Sequence, residues 1–178
     1  LETGQMTTSG VHPTLSPSMD IQVSSNFERL LFELLGRDAT KVSEKMLQFR
    51  AEGRLDVGAD HLGILHEQWA GARIDDERTL EIIAEVADRT GVVLDPHTAV
   101  GLGAGELCRR DRSVPLVSLA TAHPAKFPDA VEKATGVRPE LPAKLGDLFD
   151  RQERFTVLPN DLHAVRAFID DHLTSAGE

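Results

Sequence analysis

Polar side chains that could do chemistry follow two apolar segments of the sequence. Thr121, His123 and Lys126 come directly after the apolar segment 114–120, and His97 follows a second apolar stretch upstream. Open α/β sheets bind their ligands beyond the carboxyl ends of the strands, so these hydroxyl, imidazole and ammonium groups could line a small-molecule site. The simpler interpretation gives each an ordinary local role, such as a turn hydroxyl bonded to a nearby backbone group.

Lys126 is the least ordinary of these residues. It lies where a helix is predicted to begin, and a cation at a helix N-terminus opposes the helix dipole by a few tenths to about 1 kcal/mol. Two arrangements resolve the conflict: the ammonium group reaches into solvent, or a bound anion offsets its charge. Because the chain carries a net charge of −10, an anionic ligand would need such local donors.

A second polar cluster lies near the start of the sequence, in the segment TLSPSMDIQ, residues 14–22. Ser16, Ser18 and Asp20 place two hydroxyls and a carboxylate around one proline. The pattern is typical of a turn that begins at Ser-Pro. The functional alternative is a loop that lines a polar pocket.

The remaining motifs favour neither a metal site nor nucleotide chemistry. The seven histidines show no HExxH spacing and Cys108 is the only cysteine, so we expect no metal. The run GLGAG at 101–105 has Glu106 where a dinucleotide fingerprint needs its third glycine, and it lies inside a helical pattern. Close helix packing explains these glycines better. No Walker loop and no GxSxG elbow occur.

Helices are predicted through the first half of the chain from apolar spacing and from end signals. Ser25 and Glu28 have the spacing of a capping box, and Gly36 suits the position after the end of that helix. Residues 54–74 are ambiguous. The predicted helices cover about 26–35, 41–52, 61–69 within the ambiguous region, and 75–90 before Gly91.

The second half of the chain repeats a strand followed by a helix three times. In the first unit, Asp95 is the predicted N-cap of a helix and Pro96 takes its first position. The other two units are a buried strand at 114–120 with a helix that closes at Gly136, and a strand at 155–158 with a helix capped by Asn160. Three such units predict an α/β fold with a mostly parallel sheet flanked by helices.

Composition divides the chain into three parts. Residues 1–25 are rich in Gly, Ser, Thr and Pro and are predicted to form a connector loop that contains SPSMD. Residues 26–90 are predicted to be mainly helical, and 91–178 to form the α/β segment. Short pieces are also predicted, an extended one at 21–23 and a helical one at 143–149.

Composition and charge limit the class of protein. The 178 residues are 40% apolar and 27% charged, which is typical of a globular domain. The acidic net charge argues against a nucleic-acid partner. No run approaches the roughly 18 apolar residues of a membrane span, and no secretory signal is present. A lone Cys108 cannot form an internal disulfide, so we expect a cytoplasmic location.

Six segments together resemble one family, the threonine synthases of the bacterial and fungal type, in their C-terminal portion. In family order these segments are TLSPSMDI, SNFERLLFELL, DDERT, DPHTAV, ATAHPAKFPDAV and LPND. The resemblance covers about residues 12–172. It implies the tryptophan-synthase-like fold of type II pyridoxal-phosphate enzymes. It also implies the conversion of O-phosphohomoserine and water to threonine and phosphate.

The resemblance assigns roles to individual residues. In this group of enzymes a Ser or Thr hydroxyl lies beside the pyridine nitrogen of pyridoxal phosphate, and the matching position is Thr121, with Ala122 next to it. The buried strand would hold Thr121 at the edge of the sheet, and the prolines would hold the following turn open. The candidates for the substrate side are Ser16, Ser18, Asp20, Asn26, His97, His123 and Lys126.

The sequence departs from the family in what it lacks. Threonine synthases bind the cofactor through a lysine far upstream and hold its phosphate with an upstream loop, and neither segment is in these 178 residues. None of the five lysines matches that position, and the chain begins without an initiator Met. We therefore expect a C-terminal fragment that is inactive alone and needs the upstream part of the same enzyme.

One alternative stays open at this point. The chain could be a non-catalytic α/β module of the same family that binds a small anion or a partner protein. The presence of Thr121 and of the SPSMD loop favours the enzyme, because a module without catalysis is free to lose both.

Overall fold

The structure, a computed structural model, describes residues 2–175. The chain divides into two compact units between Glu140 and Leu141. The first unit contains β1 (Gln5–Thr7), α1 (Phe27–Leu34), α2 (Ala39–Glu52), β2 (Arg54–Asp56), α3 (Ala59–Gln68), α4 (Asp76–Thr90), α5 (Pro96–Cys108) and α6 (Pro128–Thr135). The second contains α7 (Leu162–Ser175). Short 3₁₀ turns lie at Pro17–Met19, Pro124–Lys126, Ala143–Leu145 and Leu148–Asp150.

A first apolar core lies among α1, α2, α3 and the two strands. Its buried residues are Leu31, Met46, Phe49, Leu55, Val57 and Leu65. β1 and β2 pair antiparallel with Met6 opposite Leu55, and this register turns Leu55 into the core. Neither strand was predicted, because three residues are too few to show an alternating pattern.

The end of α1 is as predicted, but its start is not. Asn26 is the N-cap and no side chain caps the helix, so the prediction of a Ser25–Glu28 capping box is wrong. The Ser25 carbonyl, not its hydroxyl, accepts the Glu28 N–H, because residues 24–27 already form a turn. At the other end Gly36 adopts a positive φ, and the N–H of Arg37 closes a Schellman motif on the Phe32 carbonyl.

A second apolar core holds α4, α5 and α6 together around Ile82, Ile83 and Ala99. α4 packs against both α5 and α6. Gly103 allows the close approach of α5, since a Cβ there would lie 2.6 Å from Ile82 Cδ1. This contact confirms the interpretation of close helix packing for Gly103 of the GLGAG run.

The predicted end of α4 and the predicted start of α5 are confirmed, whereas Asp75, predicted in the first turn of α4, is its N-cap. Asp75 accepts a hydrogen bond from the N–H of Arg78, and Gly91 ends α4 in a left-handed conformation with φ of 74°. Asp95 caps α5 through its side chain, with Pro96 at the first helical position. Asp95 and Pro96 act on the first turn of their own helix, which is why the sequence was sufficient to predict the start of α5.

The described residues do not form the expected parallel sheet. Their one sheet is the antiparallel pair of β1 and β2. Val117 is 80% exposed and Leu119 is 75% exposed, so the strand predicted as buried is open to solvent. A strand needs a neighbour that accepts and donates its backbone hydrogen bonds, and the described chain supplies none here. The segments predicted as extended that pair with no strand are 21–23, the apolar stretch before Asp95, 114–120 and 155–158.

Alternate residues of the segment 114–120 nevertheless face α5. A Cβ on Gly105 would lie 3.3 Å from the Leu116 side chain, and one on Gly101 would lie 3.7 Å from Ser118 Oγ. The residues between them are exposed. This period of two is the side-chain period of a β-strand with one packed face.

The second unit consists of two 3₁₀ turns and α7. The helical piece predicted at 143–149 forms these two turns rather than one helix. The prediction that Asn160 caps α7 is wrong, because Asp161 Oδ1 accepts the N–H of Ala164 at 2.8 Å. Asn and Asp are equally good caps, so the sequence alone did not separate the two neighbours.

No helix within residues 2–175 combines the length and the apolar character needed to cross a membrane.

Candidate functional site

The buried carboxylate of Asp95 organises the start of α5. Its Oδ1 accepts the backbone N–H of His97 at 2.9 Å and faces His97 Nδ1 at 3.0 Å. Its Oδ2 accepts the backbone N–H of Thr98 at 3.3 Å and the Thr98 hydroxyl. All three side chains are buried, and each carboxylate oxygen has one backbone donor and one side-chain donor.

The imidazole of His97 links this cap to the SPSMD loop. The backbone N–H of Ser18 donates to His97 Nε2 at 3.1 Å, so Nε2 carries no proton. The proton of the neutral ring therefore lies on Nδ1, where it donates to Asp95. The ring also packs against Phe127, with centroids 4.5 Å apart. His97 is thus a neutral, fully partnered residue of one defined tautomer.

The hydroxyl of Thr98 links the same cap to the turn that contains Thr121. It accepts the backbone N–H of Thr121 at 3.1 Å while it donates to Asp95. The Thr121 side chain itself is exposed, and its hydroxyl has no hydrogen-bond partner among residues 2–175. The backbone of Thr121 is therefore fixed at the α5 start, and its hydroxyl is free to meet a ligand.

The SPSMD loop is shaped by its own side chains. Asp20 accepts the backbone N–H of Thr14 at 2.7 Å and its hydroxyl at 2.8 Å. The buried Ser16 hydroxyl lies 3.2 Å from the Thr14 hydroxyl. The backbone N–H of Leu15 donates to Asp76 Oδ1 at 3.0 Å, which ties the loop to the start of α4.

The turn after Thr121 approaches His97 through one aromatic ring. His123 caps the turn Pro124–Lys126, with its Nδ1 accepting the N–H of Ala125 at 3.1 Å. Lys126 Nζ lies 5.8 Å from the centroid of the Phe127 ring, the ring that packs against His97. Lys126 is exposed, so its charge remains solvated.

Known proteins are similar to this chain over most of its length. Residues 98–169 match the protein family described as "Threonine synthase, C-terminal". The chain is 54% identical over 163 residues to threonine synthase of Pseudomonas aeruginosa, a match that covers 91% of this chain and 35% of that protein. It is 35% identical over 167 residues to threonine synthase of Corynebacterium glutamicum, over 92% of this chain and 35% of that protein.

Solved structures give the same result. The crystal structure of PLP-bound threonine synthase from Brucella melitensis superposes with a TM-score of 0.80 at 44% identity, over 96% of this chain and 37% of that one. Threonine synthase from yeast gives 0.74 at 30% identity, over 97% of this chain and 39% of that one. The chain belongs to the threonine synthase family. It corresponds to the C-terminal region and spans about a third of the length of these relatives.

Membership of the threonine synthase family confirms the resemblance stated from the motifs. The relatives favour that family's enzyme over the non-catalytic alternative. The structural relatives also support the type II fold in its coarse form, although the described residues contain only the short antiparallel sheet.

The structure brings several candidate residues of this threonine synthase segment together. Ser18 contacts His97 directly, and the backbone of Thr121 reaches Asp95 through Thr98. His123 joins the group through the turn that Phe127 ends. Lys126 joins it in the same way. Ser16 and Asp20 are engaged inside their own loop, and the half-buried Ala122 simply follows Thr121.

Asn26 is not part of these contacts. It lies at the N-cap of α1, where its side chain accepts a hydrogen bond from Arg29 at 3.2 Å. It lines an apolar cavity of about 500 Å³ together with Phe27, Leu30 and Trp69.

Two features of the cluster were missed from the sequence. Asp95 was assigned only as a cap, and Phe127 was not singled out. The signal for the first was present, because Asp95 lies two residues before a histidine and three before a threonine, where one carboxylate can reach both side chains. The contact of Phe127 with His97 joins residues 30 positions apart, and no local pattern indicates it.

The described residues offer no metal site, since no three His, Cys, Asp or Glu side chains in residues 2–175 are grouped to hold an ion. A cavity of about 620 Å³ lies between α4 and α5 and is separate from the cluster. Arg78 lines it, and hydrogen bonds to Glu85 and Glu81 raise the pKa of that guanidinium.

Proposed function

We propose that this chain is the C-terminal region of a threonine synthase that uses pyridoxal phosphate to convert O-phosphohomoserine and water to threonine and phosphate. One observation on this chain's own residues supports the proposal. The hydroxyl of Thr121 is exposed, while its backbone is tied to the same buried carboxylate that holds the SPSMD loop. A cofactor-side residue and a substrate-side loop are therefore joined at one point.

The chemistry of Thr121 fits a partner for the cofactor's ring nitrogen. Pyridoxal phosphate, when bound, supplies an electron sink for elimination and replacement at the substrate carbons. A hydroxyl is neutral, so it can hydrogen-bond the ring nitrogen without forcing a proton onto it. The exposed, unpartnered hydroxyl of Thr121 has this capacity, and the neighbouring Ala122 adds no competing polar side chain.

The substrate side is proposed to be formed by the polar candidates around His97. Ser16, Ser18 and Asp20 belong to a loop that hydrogen bonds keep in one shape. His123 and the solvated Lys126 follow Thr121, and Lys126 supplies the local positive charge that an anionic substrate needs in a chain of net charge −10. Asn26 remains a candidate from the family resemblance alone.

The segment 114–120 is proposed to become a strand of a mostly parallel sheet when the upstream part of the enzyme is present. Leu116 and Ser118 already pack on α5, which would be a helix on one face of that sheet. Val117 and Leu119 are exposed apolar residues that an added layer would cover. The segments 91–178 and 26–90 would then be the α/β and helical parts of the enzyme.

The covalent anchor is proposed to come from the upstream part. Of the five lysines, Lys45 donates to the Asp56 carbonyl at 2.7 Å and Lys41 pairs with Asp38 at 3.4 Å. Both lie on α2, and neither they nor Lys126, Lys133 and Lys144 match the anchor position of the family. We therefore expect the chain to be inactive alone, and its place to be the cytoplasm, where amino-acid biosynthesis occurs.

Phosphate release from O-phosphohomoserine tests the proposal. The chain joined to its upstream part should release phosphate and absorb as a pyridoxal-phosphate protein, whereas the chain alone should do neither. In the joined enzyme Thr121→Asp should shift the cofactor absorbance and lower turnover by at least about tenfold, and Thr121→Ser should retain both. Thr40→Asp adds the same charge at an exposed site on α2 and serves as the control. An unchanged spectrum and rate in Thr121→Asp would remove Thr121 from this role.

A further inference from the structure

We propose that Asp95 is a positioning residue that holds the SPSMD loop and the Thr121 turn in one fixed arrangement. One carboxylate oxygen acts through His97 on the loop, and the other acts through Thr98 on the turn. The link is a property of this chain. Its consequence for catalysis rests on the proposed function.

The loop side of the link is two hydrogen bonds long. Asp95 Oδ1 accepts the Nδ1–H of His97 at 3.0 Å, and His97 Nε2 accepts the N–H of Ser18 at 3.1 Å. The carboxylate keeps the proton on Nδ1, and only that tautomer leaves Nε2 able to accept from Ser18. Asp95 thus determines that His97 Nε2 accepts the hydrogen bond from Ser18, although the carboxylate does not contact Ser18.

The turn side of the link has the same length. Asp95 Oδ2 accepts the hydroxyl proton of Thr98, and this directs a lone pair of that oxygen toward the N–H of Thr121 at 3.1 Å. Thr98 is 4% exposed and His97 is 6% exposed, so water does not readily replace either partner. Loss of an intermediate side chain therefore leaves a backbone N–H without its acceptor.

A carboxylate is required for both links at once. Each oxygen of Asp95 also accepts a backbone N–H, from His97 on one side and Thr98 on the other. An amide in place of the carboxylate would turn an NH₂ group toward one of these N–H groups in either orientation. Asp95→Asn keeps a good cap for an isolated helix but cannot keep both sides.

Hydrogen exchange in the joined enzyme without cofactor measures the link directly, with mass spectrometry of peptides over 15–22 and 119–125. Thr98→Val should speed exchange at the Thr121 amide about tenfold and leave the Ser18 amide unchanged. His97→Phe keeps the ring against Phe127 and should give the opposite pattern. Asp95→Asn should speed exchange in at least one of the two peptides.

Two further variants separate positioning from general loss of stability. Thr98→Ser retains the hydroxyl and should restore slow exchange at Thr121. Thr79→Val removes an equally buried hydroxyl, which in α4 donates only to the Asp75 carbonyl at 2.7 Å, and should change neither peptide. The proposal would be overturned if Thr98→Val sped exchange equally in both peptides. It would also be overturned if Thr79→Val sped exchange in either of them.

A nitrogen-15 spectrum of labelled histidine gives a second, independent measurement. His97 should show a protonated Nδ1 and an unprotonated Nε2, and Asp95→Asn should alter that pattern. Observation of the Nε2–H tautomer in the unsubstituted enzyme would refute the loop side. These results stand even if the enzyme releases no phosphate, so a failure of the proposed function is distinguished from a failure of the link.

The catalytic consequence has its own expected result. If the proposed function holds, His97→Phe should mainly raise KM for O-phosphohomoserine, because it frees the substrate-side loop. Thr98→Val should mainly change the cofactor absorbance and kcat, because it frees the Thr121 turn. A uniform loss of activity with wild-type KM and spectrum in both variants would contradict the division of roles.

Discussion

Replacing Gly103 by Ala tests the packing that holds α5 in place beneath the cluster. A Cβ at this position would lie 2.6 Å from Ile82 Cδ1 and 3.2 Å from Ile74 Cδ1. Ile82 is only 4% exposed, and Ile82 and Ile74 both line the cavity between α4 and α5, so the clash is relieved only to the extent that these side chains rotate into that cavity. Overpacking of this kind costs about 1–3 kcal/mol, whereas Ala in place of Gly gains about 1 kcal/mol in helix propensity.

Gly101→Ala in the same helix is the matched control. Its Cβ would meet only Ser118 Oγ at 3.7 Å, an ordinary contact, so this variant should keep the gain of about 1 kcal/mol. Because the propensity gain is common to both variants, the difference between them isolates the packing cost. Gly103→Ala should be less stable than Gly101→Ala by about 1–3 kcal/mol.

Urea unfolding followed by far-ultraviolet circular dichroism measures these free energies. Adding Ile82→Val removes the methyl group that the new Cβ would strike, so in that background Gly103→Ala should lose most of its penalty. The coupling in this double-mutant cycle should be about 1–2 kcal/mol. If Gly103→Ala proved as stable as Gly101→Ala, the close approach of α5 to α4 would be refuted.

Three further predictions concern other parts of the chain. The backbone N–H of Lys41 donates to Asp38, the cap of α2, and lowers the pKa of that carboxyl. The ionised carboxylate therefore stabilises the fold above the unfolded pKa of about 4, and this stabilisation is lost as the pH falls through the folded pKa. In acid titrations followed by circular dichroism, Asp38→Asn should lose less stability over this pH range than the unsubstituted chain. Gly91→Ala should lower the free energy of unfolding, measured in urea, by about 1–2 kcal/mol. The cause is the left-handed φ of 74° alone, because the space around a Cβ at this position is open. Gly53→Ala should cost more, since its Cβ would also lie 2.6 Å from a side-chain oxygen of Thr8, and equal costs would contradict that contact. Val117→Lys should reduce self-association of the isolated chain in sedimentation experiments, because the apolar Val117 side chain is exposed in that chain. In the joined enzyme the same substitution should abolish activity, because Val117 is proposed to be covered by the rest of the sheet.

The sequence predicted those features that depend on neighbouring residues. Asp95 as a cap, Gly91 and Gly136 as helix ends, and close helix packing at Gly103 of the GLGAG run were all predicted correctly. The two wrong cap assignments, the Ser25 capping box and the Asn160 cap, each differ from the structure by one residue. Local signals fix the type of an element more firmly than its first residue.

The family motifs also indicated the candidate site residues, but not which of them contact each other. Ser18 and His97 are 79 positions apart, and Thr98 and Thr121 are 23 apart. Periodicity and capping patterns extend over a few residues, so they carry no information on such pairs. The strands predicted at 114–120 and 155–158 failed to pair for a related reason, since a strand is completed by a neighbour elsewhere in the fold.

The amino-acid sequence by itself determined the approximate positions of the seven α-helices of the described residues, because these follow from side chains that act on their own backbone within one or two turns, and its motifs identified the family. Only the tertiary structure decided that Asp95 serves two distant segments. The packing around α5 brings the backbone N–H of Ser18 to His97 and the backbone N–H of Thr121 to Thr98. Burial then makes each of those hydrogen bonds costly to lose, and this is why a single carboxylate can hold both sides of the proposed site.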